Sequence, residues 1–113
     1  ILEAARWLEF LKPGGRMIVN AQQIDPMPVI IGATEYPEKL IDKMTALGVK
    51  LDVVNALPLA EKAGFIKAVN IVLMGRLSRY FDFSEEAWRA SMIACVPEKS
   101  LEINLKAFAL GRA

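Results

Sequence analysis

The sequence predicts an α/β domain of the Rossmann-like, three-layer kind, a sheet with helices on both faces. Three observations carry that expectation. Met17-Ile18-Val19 is a short, continuously apolar run, the pattern of a strand covered on both sides in a parallel sheet. Lys12-Pro13-Gly14-Gly15 stands just before it and breaks any preceding helix, because proline fixes φ and glycine accepts positive φ. Residues 37–54 then read as helix, glycine and strand, the second half of a βαβ unit.

Taken in order, Ile1–Leu11 reads as a helix, with Ile1, Ala4, Ala5, Leu8 and Leu11 on one face and Trp7 and Phe10 widening it. The strand Arg16–Asn20 follows. Val29–Gly32 is apolar enough for a second short strand, though Pro28 just before it points to a sheet edge or a plain apolar loop. Pro37–Leu47 is expected to be helical, with Pro37 at the first position, Leu40, Ile41, Met44 and Leu47 inward, and Gly48 ending it. Val49–Val54 alternates as a strand with Val49, Leu51 and Val53 on one side. A short helix is expected over Pro58–Ala63, ended by Gly64. A longer one over Ile66–Arg79 contains Ala68–Gly75, AVNIVLMG, which is apolar nearly all round and so buried on most sides or set against a partner. Ser84 suits an N-cap, with Glu85 and Glu86 at the positive end of the helix dipole. That helix runs to Cys95, with Ala87, Trp88, Met92 and Cys95 inward, and Pro97 stops it. A last helix covers Lys99–Leu110, with Gly111 past its end.

The composition narrows the class of function. Apolar residues make up 54% of 113 and mean hydropathy is +0.31, so some apolar surface is expected to be covered by another segment or subunit. Fourteen basic residues nearly cancel thirteen acidic ones, and no basic stripe with interleaved aromatics speaks for nucleic acid. No apolar run reaches the roughly 18 residues that cross a membrane. Cys95 is the single cysteine and cannot form an intrachain disulfide, which fits a reducing, cytoplasmic setting. Its apolar neighbours make it a buried, inert thiol in this reading.

Catalytic constellations are missing. With no histidine and one cysteine, the chain alone can build neither a nucleophile–histidine pair, a structural zinc site nor an iron–sulfur quartet. Neither glycine-rich nucleotide fingerprint occurs. No residue is therefore assigned to catalysis, cofactor binding or metal. The polar candidates lie elsewhere. Asn20 through Pro28 leaves the carboxyl end of the first strand, the side on which open α/β sheets meet ligands and partners. There Asn20, Gln22, Gln23 and Asp25 either contact a partner or ligand border, or form a solvated loop. Asn70 and Asn104 fall on apolar helix faces, where a buried amide must find a partner; they either tie down backbone or sit at a subunit contact. Leu73 and Met74 are the apolar contact candidates of the AVNIVLMG helix.

Four stretches together resemble a known family: LKPGGRMIVNAQQIDPMPV, YPEKLIDKM with its following strand, AVNIVLMGRLS, and the closing SEEAWRASMIACVPEKSLEINLKAFALGRA. They resemble the beta subunit of indolepyruvate:ferredoxin oxidoreductase, within the gamma-subunit family of pyruvate and other 2-oxoacid:ferredoxin oxidoreductases. The resemblance implies that residues 1–113 are the carboxyl-terminal portion of a single gamma-type domain, whose amino-terminal strand and glycine-rich turn are not in this sequence. It implies oxidative decarboxylation of a 2-oxo acid, an aryl pyruvate in indolepyruvate enzymes, with coenzyme A as co-substrate and ferredoxin as electron acceptor. Thiamine diphosphate, magnesium and iron–sulfur clusters would belong to a larger partner subunit. Two rivals stay open. LKPGGRMIV also resembles a stretch of S-adenosylmethionine-dependent methyltransferases, although those folds close on an antiparallel strand pair and this chain reads as helical after Val54. A non-enzymatic α/β interaction module would equally explain AVNIVLMG.

Overall fold

Two strands and seven α-helices follow one another in the computed structural model, which describes residues 1–113. They are α1 (Leu2–Arg6), β1 (Arg16–Asn20), α2 (Met27–Ile30), α3 (Leu40–Ala46), β2 (Lys50–Val54), α4 (Ala56–Ala63), α5 (Val69–Ser78), α6 (Glu85–Cys95) and α7 (Leu101–Arg112). The α/β class stands, with β1 and β2 forming a two-stranded parallel sheet. No strand follows Val54, so the closing antiparallel pair of a methyltransferase is not present. No helix is long and apolar enough to cross a membrane. The chain divides into two units, Ile1–Val53 and Val54–Ala113.

In the first unit the sheet carries the core. Val19 of β1 and Met44 of α3 are its fully buried side chains, while Met17 and Ile18 are half-buried. Four expectations need correction. The opening helix is short: α1 ends at Arg6, a 3-10 turn covers Leu8–Phe10, and Trp7 and Phe10 stack near each other in solvent with ring centres 5.3 Å apart. Val29–Gly32 is no strand. Pro26, Met27 and Pro28 start the short helix α2 instead, because a proline in a first helical turn forgoes an N–H that would have no partner there. Pro37 is not the first residue of α3, since Lys39 takes a left-handed backbone (φ 54°) and the helix begins only at Leu40. In β2 the inward residue near the end is Val54, with Val53 exposed.

The second unit is helical, and small residues build its core. Ala56, Ala60 and Ala63 form the buried stripe of α4, at the i, i+4, i+7 spacing of one helix face, and α4 packs on both α5 and α7. Gly64 ends α4 in the left-handed conformation (φ 108°), as its position implies. The tightest junction is α5 on α7. A methyl group on Gly75 would run into the backbone carbonyl of Phe108, and one on Gly111 into the carbonyl of Val72. Each glycine admits the backbone of the other helix. Gly111 is therefore an interior packing residue of α7, which continues to Arg112, and not the stop signal expected for a helix ending at Leu110. Beside this junction Ser78 is fully buried; its hydroxyl donates to the Gly75 carbonyl (2.6 Å) and accepts from Arg112 Nη1 (2.8 Å).

The AVNIVLMG helix is thus not buried on most sides. Val72, Gly75 and Ser78 face inward, whereas Asn70, Met74 and Leu77 are exposed. On α6, Ser84 Oγ accepts from the Ala87 N–H (3.1 Å), the expected N-cap. Met92 is buried and Trp88 half-buried, but Ala87 and Cys95 point to solvent. Cys95 sits on the outer face, 7 residues before Glu102, so its apolar neighbours in sequence are not neighbours that bury it. An aromatic chain anchors α6, running Phe81–Phe83–Trp88–Phe108 with successive centroids 6.0, 5.9 and 5.7 Å apart.

Gly75→Ala and Gly111→Ala should each lower stability by about 1–3 kcal/mol, because overpacking against backbone outweighs the roughly 1 kcal/mol that alanine gains over glycine in a helix. Chemical denaturation checks this, and a variant as stable as the parent would refute the close approach. Ser84→Ala should cost about 1 kcal/mol through the lost N-cap, read from the same unfolding curves.

Candidate functional site

At the carboxyl end of β1, where the sequence places its polar candidates, the chain forms a polar clasp beside exposed apolar residues. Gln22 donates its backbone N–H to Asn20 Oδ1, and Asn20 Nδ2 donates to Gln22 Oε1, both at 3.3 Å. This is an Asx-type turn closed by a second amide contact, and it forms because an asparagine side chain can imitate the backbone two residues on. Gln23 Nε2 donates to Asp25 Oδ1 at 3.0 Å, in solvent. A hollow of about 310 Å³ opens here, bordered by Leu2, Arg6, Asn20, Gln22, Ile24 and Pro26 among others. Arg6 is held by Glu3 at 2.6 Å.

Just past the clasp the chain turns apolar. Ile24, Met27, Ile30 and Ile31 are 65–69% exposed. They are contributed by the loop, by α2 and by the residue after it. Folding of α2 puts these side chains on its outside, because so short a helix has little to bury against. Sequence reasoning placed the loop but missed this ridge. The signal was available in Pro26-Met27-Pro28, which suits a first helical turn as well as a strand edge.

The remaining candidates belong to the second unit. Asn70 is exposed, not buried; its Oδ1 accepts from the adjacent Ile71 N–H at 3.0 Å. Apolar neighbours in sequence do not cover Asn70, because the buried residues of α5 are Val72, Gly75 and Ser78 along one face. Asn104 is half-buried and ties down backbone, donating Nδ2 to the Ser100 carbonyl at 2.8 Å, one turn back on α7. Leu73 is half-buried, and Met74 and Leu77 of α5 are exposed, as are Phe65 and Ile66 ahead of that helix.

Carboxamides donate and accept hydrogen bonds without titrating near neutral pH. No three His, Cys, Asp or Glu side chains converge to hold a metal ion. Two surfaces with exposed large apolar side chains, one in each unit, are the features that ask for an occupant.

Comparison with known proteins agrees with the architecture. A solved keto/oxoacid ferredoxin oxidoreductase gamma subunit from Geobacter sulfurreducens shares the fold, with a TM-score of 0.64 at 23% identity over 94% of this chain and 54% of that one. An indolepyruvate oxidoreductase subunit IorB from Thermococcus kodakarensis is 37% identical over 97% of this chain. The protein of the same name from Archaeoglobus fulgidus is 34% identical over 96%. The chain spans 57% and 56% of the lengths of those two relatives. Residues 2–113 match the pyruvate ferredoxin/flavodoxin oxidoreductase family, and the chain belongs to that family.

Proposed function

We propose that the chain is part of a subunit of a 2-oxoacid:ferredoxin oxidoreductase that acts on indolepyruvate or a related aryl pyruvate. In this reading residues 1–113 are the carboxyl-terminal portion of a single gamma-type domain. The assembled enzyme decarboxylates the 2-oxo acid oxidatively with coenzyme A, releases an acyl-CoA and carbon dioxide, and reduces ferredoxin in the cytoplasm. The observation that carries the reading is the family match over nearly the whole chain, joined to relatives of one name.

The residues present do not fit the redox groups of such an enzyme. A cluster needs a set of thiolates, and Cys95 is the one thiol here. Thiamine diphosphate, its magnesium and the clusters are therefore assigned to a larger partner subunit, and no reaction step is routed through this chain. Its own contribution is assembly. The ridge of Ile24, Met27, Ile30 and Ile31 and the outer face of α5 around Leu73 and Met74 supply apolar area, and covering it gains about 25 cal/mol per Å². Asn20, Gln22, Gln23 and Asp25 supply hydrogen bonds at the border of the first of these surfaces. Exposed amides suit the rim of a contact, where polar groups keep their partners or water.

Gentle purification of the intact protein from its source should bring down a larger subunit with thiamine diphosphate and iron. Elution alone and free of both would sink the proposal. Met74→Asp, on an exposed position, should leave the fold intact by circular dichroism and weaken assembly at least about tenfold, since a charge at an apolar contact costs more than 1.4 kcal/mol. An unchanged complex would remove α5 from the contact, and Ile30→Asp would then test the ridge in the same way.

A further inference from the structure

A groove of about 430 Å³ runs between α6 and α7, bordered by Glu85, Arg89 and Met92 on one helix and by Leu105, Phe108 and Arg112 on the other. The spacing i, i+4, i+7 puts the first three on one face of α6, and i, i+3, i+7 does the same on α7. The floor is apolar, for Met92 and Phe108 are only 4% and 8% exposed. The small side chain of Ala109, which also lines the groove, leaves the space open.

Two guanidiniums stand at the rim. Arg112 is held in place from two sides, donating Nη1 to the buried Ser78 hydroxyl at 2.8 Å and pairing Nε with Glu85 Oε1 at 3.3 Å. A guanidinium carries five N–H donors in a planar fork, so Arg112 keeps donors to spare while its orientation is fixed. Arg89 makes no ion pair. Among the side chains that line the groove, with Ala113 at its end, two arginines stand against the one carboxylate of Glu85. The volume lies in the range of small-molecule sites, and an apolar floor with a few fixed polar groups is their usual make-up.

We propose that this groove binds a small monocarboxylate with a ring-sized apolar body. The body would lie on Met92, Leu105 and Phe108, and the carboxylate would take hydrogen bonds from Arg89 and the free donors of Arg112. Arginine suits this role because its fork matches both oxygens of a carboxylate. The inference uses only α6 and α7 and stands apart from the subunit reading above.

The test is a titration of the intact, nitrogen-15-labelled protein with benzoate, followed by two-dimensional NMR, with acetate and benzamide as controls. Benzoate should give saturable shifts at Met92, Leu105, Phe108 and Ala109. It should bind about tenfold more tightly than acetate, which lacks the ring, or benzamide, which lacks the charge. Arg89→Gln, a change on the exposed rim, should weaken benzoate about tenfold. Ala109→Leu should abolish the shifts by filling the groove, and the spectrum itself reports whether that variant is folded. Benzamide binding as well as benzoate, shifts scattered over the surface, or undiminished binding by the Arg89 variant would each overturn the proposal.

Discussion

The second unit depends on the contact of two helix backbones. Gly75 and Gly111 are reciprocal: each removes the side chain that would strike a carbonyl of the facing helix, at Phe108 and Val72 respectively. Backbones this close gain dispersion over many atom pairs and allow weak Cα–H···O contacts. They also fix what surrounds them. Much of the core around such a junction is small: Ala56, Ala60, Ala63, Ala68 and Ala107 are buried, together with Val72, Met92 and Phe108. Ser78, one turn after Gly75, is wholly buried and must be satisfied; the Gly75 carbonyl and the Arg112 guanidinium do so. That demand holds Arg112 at the end of α7, where it also meets Glu85 of α6. A steric constraint thus ends as the positioning of a charge.

The parts of the fold legible in the sequence were those with local causes. The strand at Met17-Ile18-Val19, the helix stop at Gly64 and the cap at Ser84 are each set by a few neighbouring residues, and each forms as read. Misreadings occurred where a local pattern has two solutions. Pro28 can precede an edge strand or sit in a first helical turn, and the second won at α2. A glycine near the end of a helical pattern can stop the helix or admit a neighbour, and Gly111 does the latter. That choice depends on α5, some 36 residues earlier in the chain at Gly75, and no window of sequence contains it.

The loop after β1 was legible in its place and not in what surrounds it. Following the chain off the carboxyl end of β1 leads to Asn20 and Gln22, and they do clasp each other. The exposure of Ile24, Met27, Ile30 and Ile31 is not written in their residue types, which are more often found inside a fold. Exposure is a property of what is packed nearby, and a helix as short as α2 offers no opposite face to bury. Asn70 failed for the converse reason. Its sequence neighbours are apolar, yet it lies on the side of α5 turned to solvent.

That side of α5 explains the excess of apolar residues. A helix whose inner face must be glycine, serine and valine cannot place its large side chains inward. Leucine and methionine are then not needed for the core, and polar residues would serve α5 better in water. Leu73, Met74 and Leu77 lie on the remaining arc nonetheless, half-buried or exposed. The packing inside α5 therefore accounts for Val72, Gly75 and Ser78 and leaves the outer residues without an internal cause. In the subunit reading proposed above, a contact with a partner supplies one, as it does for the exposed isoleucines of the first unit.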